Sequence, residues 1–266
     1  MGEPRWAVAE GTDLAFDAVG DGPPVTLLHA GIADRTMWEP QTDALSNRYR
    51  CITYDLRGFG ESAMGTVEFS RRDDAAAILD TAGVESSHLV GCSIGAGMAL
   101  DFAIERPQRV DRLVLVGVTP AGFDAADPIL DQLMNDVAAA EKSGDHHAAA
   151  SIEVRAWVDG PNRPEGSAPK WLREKARQWI LPTYDVQGWD LSRPLDPAAM
   201  ERLSEVGAPT LVIVGTEDAD VIIAGCEATA AGIPNADLVR IEGTAHLPNL
   251  EAAERFNRVL LEFLGD

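Results

Sequence analysis

A lone serine between two glycines, Gly91-Cys92-Ser93-Ile94-Gly95, is where residue types and spacing in this chain could do chemistry. The apolar pair Leu89-Val90 leads into it, and Gly97–Ala103 follows with helical spacing, so the pattern predicts strand, tight turn, helix with Ser93 at the apex. Gly91 and Gly95 omit the Cβ atoms that would hold strand and helix apart. Such a turn lifts the Ser93 hydroxyl above the sheet edge and leaves the Ile94 N–H unpaired beside it. Serine is a poor nucleophile until a base takes its proton, and the base needs an acid to hold it. Of the five histidines, His29 ends an apolar run, His88 precedes one, and His146 and His147 are neighbours. His246, in the loop Glu242-Gly243-Thr244-Ala245-His246-Leu247-Pro248, is the one best placed to swing over Ser93. Asp218 follows the apolar run Thr210–Val214 and is the candidate acid, with Glu217 and Asp220 as rivals by proximity. The Ile94 N–H is then one donor for the oxyanion that forms on an attacked carbonyl. The bland alternative is a β-to-α turn with a serine N-cap.

These side chains need a scaffold that brings distant loops to one edge. Alternation over Arg5–Val19 predicts an antiparallel hairpin closed by Asp21-Gly22-Pro23-Pro24. Val25–His29, Tyr49–Tyr54, the run through Leu89 and Val90, Val110–Val118, Thr210–Val214 and Leu238–Ile241 read as strands. Several are almost continuously apolar, as in parallel sheets buried on both faces. Helical spacing runs over Thr36–Leu45, Phe69–Thr81 and Glu251–Leu264, the last with Phe256, Val259, Leu260 and Phe263 on one face. The alternation predicts an α/β chain with a mostly parallel, doubly wound sheet. Residues 121–200 break the rhythm, hold no convincing strand and carry four tryptophans, Trp157, Trp171, Trp179 and Trp189. They are expected to form an inserted helical cap on a core made of residues 1–120 and 201–266. Ligands of open α/β sheets sit at the C-terminal ends of the strands, so these tryptophans either line an apolar pocket there or anchor the insertion.

The elbow spacing, the order Ser93, Asp218, His246 and the loop Asp55-Leu56-Arg57-Gly58-Phe59-Gly60-Glu61-Ser62 resemble the α/β-hydrolase family, in its serine esterase and lactonase branch with a helical cap. The resemblance spans nearly the whole chain. It implies an α/β-hydrolase fold with Ser93 as nucleophile, His246 as base and Asp218 as acid, Asp124 being the alternative acid position of some relatives. It also implies a second oxyanion donor from the His29-Ala30-Gly31 turn, either Gly31 or its neighbour Ile32, with Ala30 standing where the family has glycine. Trp38 falls where relatives carry a tryptophan. Ile32, Trp38, Trp157, Trp179 and Leu247 are the expected pocket residues. For the Asp55–Ser62 loop the resemblance implies a structural role, with Asp55 and Arg57 tying loops near the elbow. The implied reaction is hydrolysis of a small, mostly apolar carboxylic ester or lactone through an acyl-enzyme. Alternatives on the same triad are a C–C bond hydrolase, whose family members usually carry Asn where Cys92 stands, or a perhydrolase. A ligand receptor of the same fold with slow turnover is a further alternative.

Composition bounds the partners. A chain of 266 residues, 45% hydrophobic and 24% charged, suits one large folded domain. Its net charge of −21 disfavours nucleic acid and anionic membranes. No apolar run is long enough to span a bilayer, and the start Met1-Gly2-Glu3-Pro4-Arg5-Trp6 reads as neither signal peptide nor acylation site. The three scattered cysteines, Cys51, Cys92 and Cys226, predict neither a disulfide framework nor a zinc site, and a cytoplasmic setting is expected. Phosphate-loop, dinucleotide and H-E-x-x-H patterns are absent, so no cofactor and no metal is expected. A small-molecule substrate and a monomer or homodimer complete the expectation.

Overall fold

A two-residue turn at Glu10-Gly11, both at positive φ (46° and 75°), joins β1 (Arg5–Ala9) to β2 (Thr12–Val19) in an antiparallel hairpin. Positive φ at both central residues matches the twist of the flanking strands. The predicted closure at Asp21–Pro24 is therefore corrected: those residues lead out of the hairpin into β3 (Pro24–Leu28). The coordinates are a computed structural model describing residues 4–265, so the first three residues of the N-terminal reading lie outside it.

From β3 the chain runs through a 3-10 turn, Arg35–Trp38, into α1 (Glu39–Leu45), then β4 (Arg50–Tyr54), α2 (Arg71–Thr81), β5 (Ser87–Cys92), α3 (Ile94–Glu105) and β6 (Val110–Val116). Residues 121–200 hold α4 (Pro128–Ser143), α5 (His146–Glu153), a π-helical turn Val154–Asp159, α6 (Lys170–Ile180) and the start of α7 (Ala199–Arg202). Their one sheet-like contact among the described residues is a single bridge, Ser192 to Phe69. The core resumes with β7 (Thr210–Gly215), α8 (Asp220–Gly232), β8 (Ala236–Ile241), α9 (Pro248–Glu251) and α10 (Ala253–Leu264).

Among the described residues eight strands lie in the order β1-β2-β4-β3-β5-β6-β7-β8, with β3 to β8 parallel. The chain steps from β3 to β4 on one side, then back across to β5 on the other. Strand order reverses there, so the loops after β3 and β5 diverge and leave a crevice at the sheet's C-terminal edge. Apolar side chains cover both faces. One face packs α2 and α3 through Leu79, Leu100 and Phe102. The other packs α1 and α10 through Trp38, Phe256 and Leu260, together with Val154 and Leu172 of the 121–200 segment. Helix α8 is small-residue-rich and weakly amphipathic, which is why its pattern did not announce it. Ala252 breaks the last predicted helix into α9 and α10.

Candidate active site

Ser93 sits between β5 and α3 with φ 56° and ψ −118°, a backbone region that non-glycine residues rarely occupy. Its N–H donates to Val116 O at 2.8 Å, and its carbonyl accepts from Gly97 N at 3.0 Å, so neighbours on both sides hold the strained turn. The glycines permit the geometry. A Cβ on Gly91 would lie 2.3 Å from Gly95 O, and one on Gly95 would lie 2.4 Å from Leu28 O. Gly97, one turn along α3, has open space where its Cβ would be. Gly95→Ala is therefore expected to cost about 3 kcal/mol of stability through forced overpacking. Gly97→Ala is expected to add about 0.5–1 kcal/mol, since glycine in a helix interior loses more chain entropy. Urea denaturation of the two variants measures the contrast.

His246 stands on the loop between β8 and α9, 2% exposed, and its Nδ1 lies 2.7 Å from Asp218 Oδ2. Asp218 is 1% exposed on the loop after β7, and its other oxygen accepts the Ala219 N–H at 2.8 Å. The two loops are joined by Glu217 N–H donating to Thr244 O at 2.9 Å. Of the rival acids, Asp124 and Asp220 are exposed and Glu217 is half-buried, while Asp218 alone among them bonds the imidazole. The histidine loop also meets the serine turn. Cys92 Sγ donates to His246 O at 3.7 Å, and burial holds that thiol protonated by pushing its pKa up. A Cβ on Gly117 would be 3.0 Å from His246 Cε1 and 3.6 Å from Asp218 Oδ2, and Gly117 shares a cavity wall with Ser93.

The loop after β3 completes this edge. A Cβ on Gly31 would lie 3.6 Å from the Ile94 side chain, which sets Gly31 against the head of α3. His29 is fully buried: its Nδ1 bonds Ala30 O at 2.8 Å while its Nε2 accepts the Leu56 N–H at 2.9 Å. Burial drives its pKa below the ordinary range, so it is a neutral peg for the Ala30-Gly31 turn. Asp55 accepts Arg35 N–H at 2.8 Å and Glu61 N–H at 2.9 Å, and Arg57 bonds Asp74. That loop is tied down as the resemblance implied.

Ser93 opens into a cavity of about 310 Å³ whose walls include Arg71, Met98, Asp101, Gly117, Thr119 and Ile222. The expected pocket residues fare unevenly. Trp157, half-buried on the π-helical turn, has its ring 4.9 Å from the His246 ring and its carbonyl accepts the His246 N–H at 3.3 Å. Trp38 and Leu247 are corrected: both are fully buried, Trp38 against the Phe256 ring, because their side chains turn into the core packed by α10. Ile32 is buried in the same cluster. Trp179 donates through Nε1 to Thr36 Oγ1 at 3.2 Å and lines a different cavity with Asp34, Met64 and Pro182. The 121–200 segment is also latched to the histidine loop by Arg163, which bonds Gly243 O at 2.9 Å and Glu251 at 2.9 Å.

Arg71 and Asp101, which the sequence reading did not single out, sit on the cavity wall because α2 begins, and α3 passes, at the same sheet edge. Burial pushes the Asp101 carboxyl up to about 6, against the partial relief of Arg72 at 4.0 Å. The folded chain thus holds a proton that the unfolded chain releases near pH 4, and stability falls as pH rises from there to about 6. Asp101→Asn is expected to raise stability at pH 7.5 by about 1–2 kcal/mol, discounted for partial hydration, and to change it little at pH 4. Denaturant titrations at the two pH values decide this. An equal effect at both would remove the titration as its cause.

A family profile described as alpha/beta hydrolase fold matches residues 23–253. The chain belongs to the alpha/beta hydrolase fold family. Its relatives within that family include the 2-hydroxy-6-oxononadienedioate/2-hydroxy-6-oxononatrienedioate hydrolase of Burkholderia vietnamiensis, 31% identical over 269 residues, covering 97% of this chain and 93% of that one. The 3-oxoadipate enol-lactonase 1 of Acinetobacter baylyi is 29% identical over 87% of this chain and 84% of its own. Among solved structures, a thermophilic esterase from Thermogutta terrifontis superposes with a TM-score of 0.78 at 27% identity, covering 99% of this chain and 98% of that one. This alpha/beta hydrolase therefore has relatives named as a hydrolase, an enol-lactonase and an esterase. Among its described residues no helix is long and apolar enough to cross a membrane.

Proposed function

We propose that this protein is a serine hydrolase that cleaves a small carboxylic ester or lactone through an acyl-enzyme. The observation that carries the reading is the buried 2.7 Å contact between His246 Nδ1 and Asp218, beside Gly117 on the cavity into which Ser93 opens. In the proposed cycle Ser93 Oγ attacks the carbonyl carbon while His246 Nε2 takes its proton. Asp218 keeps the imidazole's other nitrogen protonated and stabilises the imidazolium. The carbonyl's electron pair moves to oxygen, where the N–H groups of Ile94 and Gly31 are the proposed donors. Collapse expels the alkoxide, which receives the proton from His246. Water, deprotonated by the same imidazole, then attacks the acyl carbon, and collapse expels Ser93 Oγ, which takes back the proton from His246 as the acid leaves. Residues 121–200 are proposed to cap this edge, with Trp157 setting the roof over His246. Kinship to the Burkholderia vietnamiensis enzyme favours a second reading, hydrolysis of a 2-hydroxy-6-oxo dienoate on the same residues.

A fluorophosphonate probe tests the serine chemistry directly, paired with a turnover screen over esters of graded acyl length and lactones of graded ring size. Stoichiometric modification of the peptide bearing Ser93, with many turnovers per protein on at least one substrate, is expected. Labelling elsewhere, or one product per protein, would overturn the proposal in favour of a receptor.

A further inference from the structure

Arg71 lines the same cavity as Ser93, half-buried at the start of α2, yet its guanidinium makes no hydrogen bond or ion pair among the described residues. Its Nη1 is shielded from solvent and has no partner. A buried cation without a counter-charge is costly, so each neighbour is a possible partner to be checked. Asp74, three residues on, is already engaged: Arg57 Nε bonds one of its oxygens at 3.0 Å, and Arg57 Nη2 bonds the other. Arg57 and Arg71 both lie over the Phe69 ring, at 4.4 and 5.6 Å from its centre. The group of Arg57, Arg71 and Asp74 is thus left with an excess of one positive charge.

None of the remaining neighbours pairs directly with Arg71 among the described residues. Tyr54, whose hydroxyl is buried and also unpartnered, is kept neutral by burial. His29 is neutral, with both ring nitrogens occupied. Asp101, on the same cavity wall, shares Arg72 with Glu105, at 4.0 and 3.0 Å, and forms no ion pair with Arg71. A guanidinium offers a planar fork that matches a carboxylate with two parallel hydrogen bonds. The chain's net charge of −21 repels anions at long range, so a carboxylate is held only where the local charge reverses.

We infer that Arg71 receives a carboxylate carried by the substrate whose carbonyl Ser93 attacks, so that the substrate class is half-esters of dicarboxylic acids, or lactones bearing a free carboxylate, rather than wholly apolar ones. The inference rests on the proposed serine hydrolase chemistry and narrows its substrate. The 4-nitrophenyl half-ester of adipic acid and 4-nitrophenyl hexanoate share a chain length and differ by a carboxylate in place of a methyl group. The ratio of their kcat/KM values is expected to fall about 30-fold in Arg71→Gln, in line with loss of a charge-assisted pair, and to recover in part in Arg71→Lys. An unchanged ratio would overturn the assignment. A binding arm separates this from failure of the hydrolase reading. Calorimetry with monomethyl adipate on the Ser93→Ala protein should show binding that the Ser93→Ala, Arg71→Gln protein loses, whether or not either chromogenic ester is turned over. Equal binding by both proteins, or binding by neither, rejects the role of Arg71. Matching thermal melts of the variants exclude a folding defect.

Discussion

Ser93→Ala is expected to lower kcat for 4-nitrophenyl butyrate by about a million-fold, the scale of loss when the nucleophile of a serine triad is removed. The variant deletes one oxygen and leaves the turn standing. The Ser93 N–H to Val116 O and Gly97 N–H to Ser93 O bonds are backbone bonds that alanine keeps. Alanine at φ 56° bears much the same strain as serine, so the melting temperature should move by only a few degrees. What survives is whatever the proposed Ile94 and Gly31 donors contribute without a covalent intermediate, about 10³–10⁴-fold over water in comparable sites. Stopped assays with protein at micromolar concentration can read that residue, and the fluorophosphonate adduct should vanish with it. Turnover within tenfold of wild type, in protein shown by mass to carry the substitution, would remove Ser93 from the chemistry and with it the acyl-enzyme.

Legibility in the sequence followed how local each determinant is. The elbow was readable because its requirements are compressed into five residues. Gly91 and Gly95 are needed where backbones approach to 2.3 and 2.4 Å of a would-be Cβ, and no other residue meets that need. The parallel strands were readable from runs such as Thr210–Val214, since a strand buried on both faces must be apolar throughout. The hairpin closure was misplaced because Glu10 takes a positive φ that its residue type does not advertise, whereas Asp21-Gly22-Pro23-Pro24 carries every usual turn signal. Helix α8 was passed over for a related reason: with little contrast between its faces, it has no period to detect. The cavity wall was the least legible part. Arg71-Arg72 reads as a solvated charge pair, and only the tertiary structure separates Arg72, paired with Glu105 at 3.0 Å, from Arg71, which makes no hydrogen bond or ion pair among the described residues. Trp38 and Leu247 show the converse, since an apolar residue near the site in sequence satisfies its own burial first.

Asp218→Asn is expected to reduce kcat by about ten-thousand-fold at neutral pH while leaving the fold intact. Volume hardly changes, so the loss must come from the direction of one hydrogen bond. In the wild type the two carboxylate oxygens have fixed tasks: one accepts the Ala219 N–H at 2.8 Å and the other faces His246 Nδ1 at 2.7 Å. An asparagine has a single oxygen, and the Ala219 amide, being a donor, demands it. The amide NH₂ is then turned toward His246, where it can only donate. Nδ1 must accept, so the neutral ring carries its proton on Nε2, the nitrogen that takes the serine proton in the proposed cycle. The proposed base is then present but in the wrong tautomer. Asp218→Ala, which imposes no tautomer but leaves the buried imidazole without an anchor, should also be slow and should additionally lose stability, by about 1–3 kcal/mol for unpaired buried polar groups. Comparing kcat and urea midpoints for the two variants separates orientation from structural support. An asparagine variant retaining a tenth or more of wild-type kcat would mean that the Asp218–His246 pair holds loops together and takes no part in moving the proton.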